Sequence, residues 1–268
     1  MVQNAASEGM EKRAVVRLVG AGPGAADLIT VRGANALRGA EVVLYDDLAN
    51  PELLALCSTE AEKVYVGKRA GMHSLPQGEI NALLVAKAAE GKRVVRLKGG
   101  DPMVFGRTAE EIEALATAGF EFEIVPGVTA AAAAGAMAGV PLTQRGVTSA
   151  TVFVAGHACA DRNGTPTDWR GLAALKATLC IYMGTRRFSE IARELLAGGL
   201  AETTPVAVVA GATLSSQSLR FGTLAEGDAL VGNLQGRPAM IIVGEVVRWS
   251  ELAAAAQGAN ARMMGCEI

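Results

Sequence analysis

Apolar runs alternate with amphipathic segments along the first half of the chain. Runs of apolar and β-branched residues occupy positions 15–19, 41–45, 63–66, 93–97 and 122–125. Between them, residues 79–90 and 109–118 carry apolar side chains at helical spacing and predict helices. Alternation of this kind predicts a mostly parallel sheet with helices on both of its faces.

A second series of strands follows a change of pattern near residues 145–150. A helix is predicted over 189–196, and strands are predicted over 152–155, 178–183, 206–210, 218–224 and 240–247. The last two strands are expected to be antiparallel and joined by a long loop. The chain is therefore predicted to form two α/β domains, residues 13–147 and 148–252, with tails at 1–12 and 253–268.

Composition narrows the classes of function. The chain has 268 residues, half of them hydrophobic, and a net charge of −2, so no basic field favours non-specific binding of nucleic acid. The longest apolar stretch, residues 128–142, contains Pro141 and is shorter than the about 20 residues that span a bilayer. Residues 1–12 lack the apolar core of a signal peptide, so we expect a cytoplasmic protein with no membrane partner.

The four cysteines and two histidines do not form a metal-binding pattern. No cysteine pair has CxxC spacing, and His73 and His157 stand in separate loops. Scattered thiols are typical of a reducing compartment, which agrees with a cytoplasmic location. We therefore expect no bound metal.

The first predicted strand ends in a glycine loop, residues 20–25, that formally fits the GxGxxA pattern of dinucleotide-binding proteins. Asp46 closes the second strand, where that class of protein holds a ribose. Pro23 removes an N–H group where a pyrophosphate needs donors, and residues 27–30 look like extra loop before a helix that Thr30 caps. These details count against NAD(P), which stays an alternative.

Residues 94–107 read VVRLKGGDPMVFGR and contain the most informative turn of the chain. Gly99 and Gly100 let the backbone approach a ligand with no side chain in between. Asp101 only accepts hydrogen bonds, so it suits hydroxyl groups or a cationic ligand, and the GxxxxGK[ST] spacing of a phosphate loop is absent. The turn predicts a site for a nucleoside with a positive centre, unless it is only a tight connection from strand to helix.

Two further turns end predicted strands at residues 126–130 and 182–185. Thr129 is expected to cap a helix over 131–138 whose small residues allow close packing. Met183 can either fill the core or line a pocket. Glycine-containing turns at the carboxyl ends of four strands, shared between two domains, predict a ligand crevice.

A charge cluster opens the helix predicted over 109–118. Glu110, Glu111 and Glu113 are expected to form mostly a solvated helix face. Because Glu110 follows Arg107 by three residues, these two side chains are expected to share a face near the crevice.

Read together, these motifs resemble the tetrapyrrole methylase family, and within it the uroporphyrinogen-III C-methyltransferases. The resemblance covers roughly residues 13–250 and follows the family's order of motifs. The motifs are LVGAGPG at 18–24, VVLYD at 42–46, VYVGKRAG at 64–71, RVVRLKGGDP at 93–102, FGR at 105–107, VPGVTA at 125–130, PLT at 141–143, YMG at 182–184 and VGEVV at 243–247. The combination of LKGGDP with FGR is specific within the superfamily, whereas GAGPG or GDP alone is not.

The resemblance implies a homodimer of two α/β domains, with S-adenosylmethionine in the interdomain cleft and S-adenosylhomocysteine as a product. It implies two methylations of uroporphyrinogen III, at C2 and C7, that give precorrin-2, a precursor of sirohaem, cobalamin and haem d1. The positions that it implies for cofactor contact are Pro23, Gly99, Gly100, Asp101, Val104, Thr129, Ala130, Met183, Ala212 and Ala239.

The resemblance also implies catalytic and substrate-binding positions. Asp46 and Lys68 match a proton acceptor and a proton donor. From the residues alone, Asp46 is either a base or a partner for its own loop, and Lys68 either donates a proton or holds a substrate carboxylate. The positions matched to substrate binding are Arg107, Glu110, Arg145 and Met183, of which Arg107 and Glu110 are also matched to catalysis.

The chain departs from the family pattern at two places near the expected tetrapyrrole site. Thr108 and Ala109 stand where the family usually has two glycines after FGR. Residues 144–147 read QRGV, where the family often has HRDY. These departures leave the cofactor assignment unchanged and affect the expected contacts with the substrate.

Three other interpretations stay open on the sequence. They are another precorrin methyltransferase of the cobalamin pathway, an NAD(P)-dependent dehydrogenase, and a tetrapyrrole-binding or scaffold protein without catalysis. A fused sirohaem synthase is not expected, because no dehydrogenase–chelatase domain fits beside the methylase within 268 residues.

Overall fold

The computed structural model describes residues 15–67, 75–157, 166–234 and 236–250. Contacts divide the chain into two compact units, with the division between Thr129 and Ala130. The sequence places this boundary later, at residue 147. The difference arises because the helix that follows Thr129 buries its alanines against the second sheet.

The first unit is built on a five-stranded sheet in which every strand pair is parallel, as predicted. The order across the sheet is β3-β2-β4-β1-β5. All of its strands therefore end at one edge, where the predicted glycine turns also lie. The strands are β1 (Val15–Gly20), β2 (Val42–Tyr45), β3 (Glu62–Tyr65), β4 (Val94–Lys98) and β5 (Glu121–Val125).

Helices cover both faces of this sheet, because successive strand residues point to opposite sides. One face buries Val19, Val43 and Val95 under α1 and a 3-10 helix. The other buries Leu18 and Leu44 under α2 and α3. The helices are α1 (Val31–Arg38), α2 (Gln77–Ala89) and α3 (Thr108–Thr117), and the short 3-10 helices are Ala26–Leu28 and Pro51–Leu56.

The loop after β1 does not have the geometry of a dinucleotide-binding fingerprint. A 3-10 turn, Ala26–Leu28, separates the glycines from α1, which begins only at Val31. Thr30 caps α1 as predicted, since its hydroxyl oxygen accepts a hydrogen bond from Gly33 N at 3.1 Å. The first turn of α1 is therefore several residues removed from the glycine loop, where a Rossmann fold would bring it to a pyrophosphate.

The second unit contains a mixed five-stranded sheet in the order β6-β7-β10-β8-β9. The β6–β7 pair is parallel and the other pairs are antiparallel. β9 and β10 were expected to be antiparallel, but both pair antiparallel with β8 and therefore run in the same direction. The strands are β6 (Thr151–Ala155), β7 (Thr178–Tyr182), β8 (Pro205–Ala210), β9 (Ser218–Thr223) and β10 (Ala239–Val243).

This second sheet is also covered on both faces. One face packs Cys180 and Ile242 against α4, and the other packs Ile181 and Ile241 against α5 and α6. Within the described ranges, no helix is long and apolar enough to cross a membrane. The helices are α4 (Ala130–Ala138), α5 (Trp169–Ala174), α6 (Phe188–Ala197) and α7 (Gly227–Val231), with 3-10 helices at Thr185–Arg187, Leu224–Glu226 and Glu245–Arg248.

Candidate active site

The turns after β1, β4 and β5 pack backbone against backbone. Gly22 N donates to Gly100 O at 3.2 Å, and Gly100 N donates to Gly22 O at 2.6 Å. A Cβ atom on Gly127 would lie 2.3 Å from Gly100 O and 2.8 Å from Gly20 Cα. Glycine is required here because no side chain fits, and the three turns therefore form one backbone surface at the carboxyl edge of the sheet.

The Asp101 side chain connects two of these turns by hydrogen bonds. Its Oδ1 accepts a hydrogen bond from Met103 N at 2.8 Å, and its Oδ2 accepts one from Gly127 N at 2.9 Å. The carboxylate thus stabilises the loops after β4 and β5, a role that the sequence did not reveal. Each carboxylate oxygen has a further lone pair, so contact with a ligand hydroxyl stays a prediction.

The loop after β2 lies against the same surface. A Cβ atom on Gly99 would come within 2.4 Å of Leu48 Cβ, so this glycine admits the neighbouring loop. Leu48 N in turn donates to Asp46 Oδ1 at 3.1 Å. Asp46 is therefore fixed beside the Gly99–Asp101 turn, close to the predicted cofactor positions.

Arg107 and Glu110 meet as their spacing predicts. Arg107 Nε and Nη2 each donate to one carboxylate oxygen of Glu110 at 2.8 Å, a two-point contact. These hydrogen bonds lower the pKa of Glu110 and raise the pKa of Arg107. Arg107 has φ 53°, in the left-handed region, immediately before α3. Arg107 thus places an exposed guanidinium directly before α3, paired with an exposed carboxylate from the first turn of the helix.

Asp46 is also held by a buried cluster of charges. Its Oδ2 accepts from Arg96 Nη2 at 2.9 Å. Behind Arg96 lies Glu111, which accepts from Arg96 Nε at 3.1 Å and from Lys98 Nζ at 2.8 Å. Glu111 is 0% exposed, which corrects the expectation that it belongs to a solvated helix face.

The position of Arg96 and Lys98 on β4 explains why Glu111 is buried. Both follow Val94 at period two, so they face the side of the sheet that α2 and α3 cover. Two cations in a buried strand require an acidic partner from the covering helix, and that requirement could have been recognised in the sequence. The pKa of Lys98 is lowered, chiefly by burial and then by nearby Arg96, while Glu111 opposes the shift.

Thr108, one of the departures from the family pattern, has a structural role. It is buried at the first position of α3, and its hydroxyl donates to Pro102 O. The hydroxyl closes the loop between the GGDP turn and the helix.

Three predicted positions in the second unit, Met183, Ala212 and Ala239, lie at one edge of its sheet. Tyr182 pairs with Met240, and Ala210 pairs with Ala239, so residues 183, 212 and 239 follow or open strands at the same end. Met183 has φ 55° and an exposed side chain. Tyr182 Oη accepts from Ala131 N at 3.2 Å, next to the predicted cofactor residue Ala130.

Arg145 is exposed in a turn closed by hydrogen bonds of 3.0 Å and 2.9 Å between the backbones of Gln144 and Thr148. The structure places it in the second unit, whereas the sequence assigned it to the first domain. Lys68 lies outside the described residues. Among the residues described, no group of three or more His, Cys, Asp or Glu is placed to hold a metal ion.

The parallel sheet, with its packed glycine turns at the carboxyl edge, places the first unit in the class of α/β proteins whose ligands typically bind at the strand ends. The chain belongs to the tetrapyrrole (corrin/porphyrin) methylases, whose family model matches residues 15–228. This agrees with the family resemblance of the motifs.

Three known proteins show how similar this chain is to members of that family. Siroheme synthase 1 of Pectobacterium atrosepticum is 51% identical over 235 residues, which are 88% of this chain and 48% of that protein. The chain thus spans about half the length of the curated relatives that it matches. The uroporphyrin-III C-methyltransferase of Thermus thermophilus, solved with S-adenosylhomocysteine, is 40% identical, with a TM-score of 0.74 over 88% of this chain and 94% of that one. A cobalt-precorrin-4 methyltransferase is 33% identical, with a TM-score of 0.77 over 87% and 95%.

Proposed function

We propose that this chain is an S-adenosylmethionine-dependent C-methyltransferase that methylates uroporphyrinogen III at C2 and C7 to give precorrin-2. The observation that carries the proposal is the similarity over nearly the whole of both chains to the Thermus enzyme solved with S-adenosylhomocysteine. The greater identity to that enzyme favours it over the cobalt-precorrin-4 methyltransferase, although the latter has the higher TM-score.

The residues at the strand ends fit S-adenosylmethionine better than a dinucleotide. At the packed glycines no side chain covers the backbone, so a ligand can contact it directly. No helix begins directly at the first glycine loop, so the helix terminus that would bind a dinucleotide's pyrophosphate is missing there. When bound, the cofactor supplies an electrophilic methyl group on a sulfonium centre. The residues proposed to hold it are Pro23, Gly99, Gly100, Asp101, Val104, Thr129, Ala130, Met183, Ala212 and Ala239.

Arg107 and Arg145 are proposed to bind the tetrapyrrole, whose many carboxylates suit bidentate guanidinium contacts. Glu110 holds Arg107 by two hydrogen bonds of 2.8 Å and so orients it before the substrate arrives. Met183, exposed at the end of β7, offers an apolar contact for the macrocycle. These residues bind and orient the substrate, and alignment of reactants can contribute about 7–11 kcal/mol.

Asp46 is proposed to accept the proton that the cation formed by methylation must lose, since the methylated ring carbon itself then has four carbon substituents and carries no hydrogen. Its carboxylate is held from two sides, by Leu48 N and by Arg96, and its side chain is 24% exposed. A partly exposed and fixed carboxylate can take a proton from a bound substrate and pass it to water. Lys68 is proposed as the proton donor.

The test is incubation of the protein with S-adenosylmethionine and uroporphyrinogen III, free of oxygen. The expected result is the dipyrrocorphin absorbance of precorrin-2 with formation of two S-adenosylhomocysteine molecules per tetrapyrrole. Cobalt-precorrin-4 and NAD are offered in parallel. Turnover of cobalt-precorrin-4 alone would assign the chain to the alternative methyltransferase, and calorimetric binding of NAD instead of S-adenosylhomocysteine would favour a dehydrogenase.

The homodimer and the cytoplasmic location belong to the same proposal. Cys57 and Cys180 are free and buried thiols, which agrees with a reducing compartment. Burial raises the pKa of both thiols, that of Cys180 to about 12, so neither is expected to react readily. Size-exclusion chromatography with light scattering tests the dimer.

A further inference from the structure

Glu111 is a fully buried carboxylate that the proposed reaction does not use directly. It lies in the first turn of α3, one residue after Glu110, and is 0% exposed. A bound ligand therefore cannot reach it. Its two oxygens face two cations of β4, Oε1 accepting from Arg96 Nε at 3.1 Å and Oε2 from Lys98 Nζ at 2.8 Å. Oε1 also accepts a longer hydrogen bond from Gln77 Nε2 at 3.4 Å.

Arg96 connects Glu111 to Asp46. Its Nη1 donates to Leu97 O at 2.9 Å, and its Nη2 donates to Asp46 Oδ2 at 2.9 Å. Because a guanidinium is a planar, rigid fork, fixing its Nε and Nη1 also fixes the direction of its Nη2. The carboxylate of Glu111, which holds Nε, is therefore one of the groups that orient Arg96 toward Asp46, together with the carbonyl oxygens that hold Nη1.

We propose that Glu111 is a positioning residue for methyl transfer, acting through Arg96 to hold the Asp46 carboxylate in place. The inference rests on the proposed function and on Asp46 as the proton acceptor within it. Lys98 supports the arrangement because it neutralises the second oxygen of Glu111, which leaves the buried pair of cations and pair of carboxylates balanced in charge.

The first variant is Glu111→Gln, which keeps the shape but replaces one acceptor oxygen by an N–H donor. Arg96 or Lys98 then faces a donor, and the guanidinium is expected to turn. We expect kcat to fall by about 10- to 100-fold, since small displacements of reacting groups have effects of this size. The KM for uroporphyrinogen III and the Kd for S-adenosylhomocysteine are expected to change by less than about twofold, because Glu111 touches neither ligand.

A double-mutant cycle with Asp46→Asn separates positioning from a general structural role. If Glu111 acts through Asp46, Glu111→Gln lowers kcat in the wild-type background and by less than about twofold in the Asp46→Asn background. Equal losses in both backgrounds would overturn the inference, and so would an unchanged kcat in either single variant. Should Glu111→Gln fail to fold, Glu111→Asp, which keeps the charge but is one methylene shorter, carries the same cycle.

Glu123→Gln is the matched control. Glu123 lies on β5 of the same sheet and pairs with Arg17 at 2.8 Å, at a partly exposed site away from Asp46. The kcat of the Glu123→Gln variant is expected to equal that of the wild type. Turnover of the wild-type chain is measured first: absence of methyl transfer refutes the proposed function and the inference with it, whereas an active wild type with equal losses refutes only the role of Glu111.

Discussion

Both oxygens of Asp101 accept hydrogen bonds from backbone N–H groups, so this side chain shapes two loops whether or not a ligand is bound. Asp101→Asn replaces one of the two acceptors by a donor that faces Met103 N or Gly127 N. We expect a loss of about 1–3 kcal/mol in stability, the usual cost of a polar group left unsatisfied. Urea unfolding measures it, and calorimetry is expected to show weaker binding of S-adenosylhomocysteine.

Asp168→Asn is the control for that change. Asp168 caps α5 through a single bond from Gly171 N at 2.9 Å, and asparagine caps helices about as well as aspartate. Its stability is expected to stay within a few tenths of a kcal/mol of the wild type. An equal loss of unfolding free energy in both variants would show that the two hydrogen bonds joining the loops are not the reason why Asp101 stabilises the protein.

Arg107 is expected to affect substrate binding without affecting stability. Its pair with Glu110 is exposed, and pairs of that kind contribute little to folding. Arg107→Ala is expected to weaken the interaction with uroporphyrinogen III by about 1.5–3 kcal/mol, the range for hydrogen bonds to charged groups. This corresponds to a rise in KM of about 10- to 150-fold, with an unchanged Tm. The pKa of Glu110 is expected to rise, because the hydrogen bond that lowers it is lost.

Arg248→Ala offers the same change at a comparable pair, since Arg248 Nε donates to Glu245 at 2.8 Å. Its KM is expected to equal that of the wild type. Steady-state kinetics and an NMR titration of Glu110 check both variants. An unchanged KM in Arg107→Ala would remove Arg107 from the proposed substrate site.

At the scale of elements, the close contact of three strand ends depends on glycine. Gly127→Ala would place a Cβ atom 2.3 Å from Gly100 O, which forces the turns after β4 and β5 apart. We expect a loss of about 1–3 kcal/mol in unfolding free energy, as for overpacked sites, together with weaker binding of S-adenosylhomocysteine. Chemical denaturation and calorimetry measure the two effects.

Gly78→Ala, on α2, is the control for Gly127→Ala, because here an added methyl group has room. A Cβ atom there meets nothing within 4 Å, and the residue lies inside the helix. Alanine is expected to stabilise the protein by up to about 1 kcal/mol and to leave ligand binding unchanged. A similar loss of stability in both variants would contradict the packing explanation for Gly127.

The positions of the strands could be predicted closely because buried strands appear in the sequence as valine- and isoleucine-rich runs. The sequence does not predict the short helices α5 and α7, since six and five residues are too few to show a helical period. Pairing between distant strands, such as the insertion of β10 between β7 and β8, leaves no local pattern to read.

For the candidate site, too, the local features could be predicted from the sequence and the contacts between elements could not. The glycine turns and the Arg107–Glu110 pair are local, so their spacing predicted them. Glu111 was misjudged because its partners Arg96 and Lys98 come from another element, and a pattern along one helix does not show which face a neighbouring strand covers.

At the scale of the whole molecule, the proposed cofactor residues come from both units, whereas both tryptophans, Trp169 and Trp249, lie in the second unit. Tryptophan fluorescence therefore reports the unfolding of the second unit alone, and far-UV circular dichroism reports both.

If the two units unfold in separate transitions, a ligand held by residues of both units raises the midpoints of both. At 100 times its Kd, S-adenosylhomocysteine is expected to stabilise the native chain by about 2.7 kcal/mol. The fluorescence midpoint is then expected to rise together with the dichroism midpoint, and NAD at the same concentration is expected to move neither. If dichroism rises while the fluorescence midpoint stays, Met183, Ala212 and Ala239 do not hold the cofactor, and the site belongs to the glycine turns of the first unit.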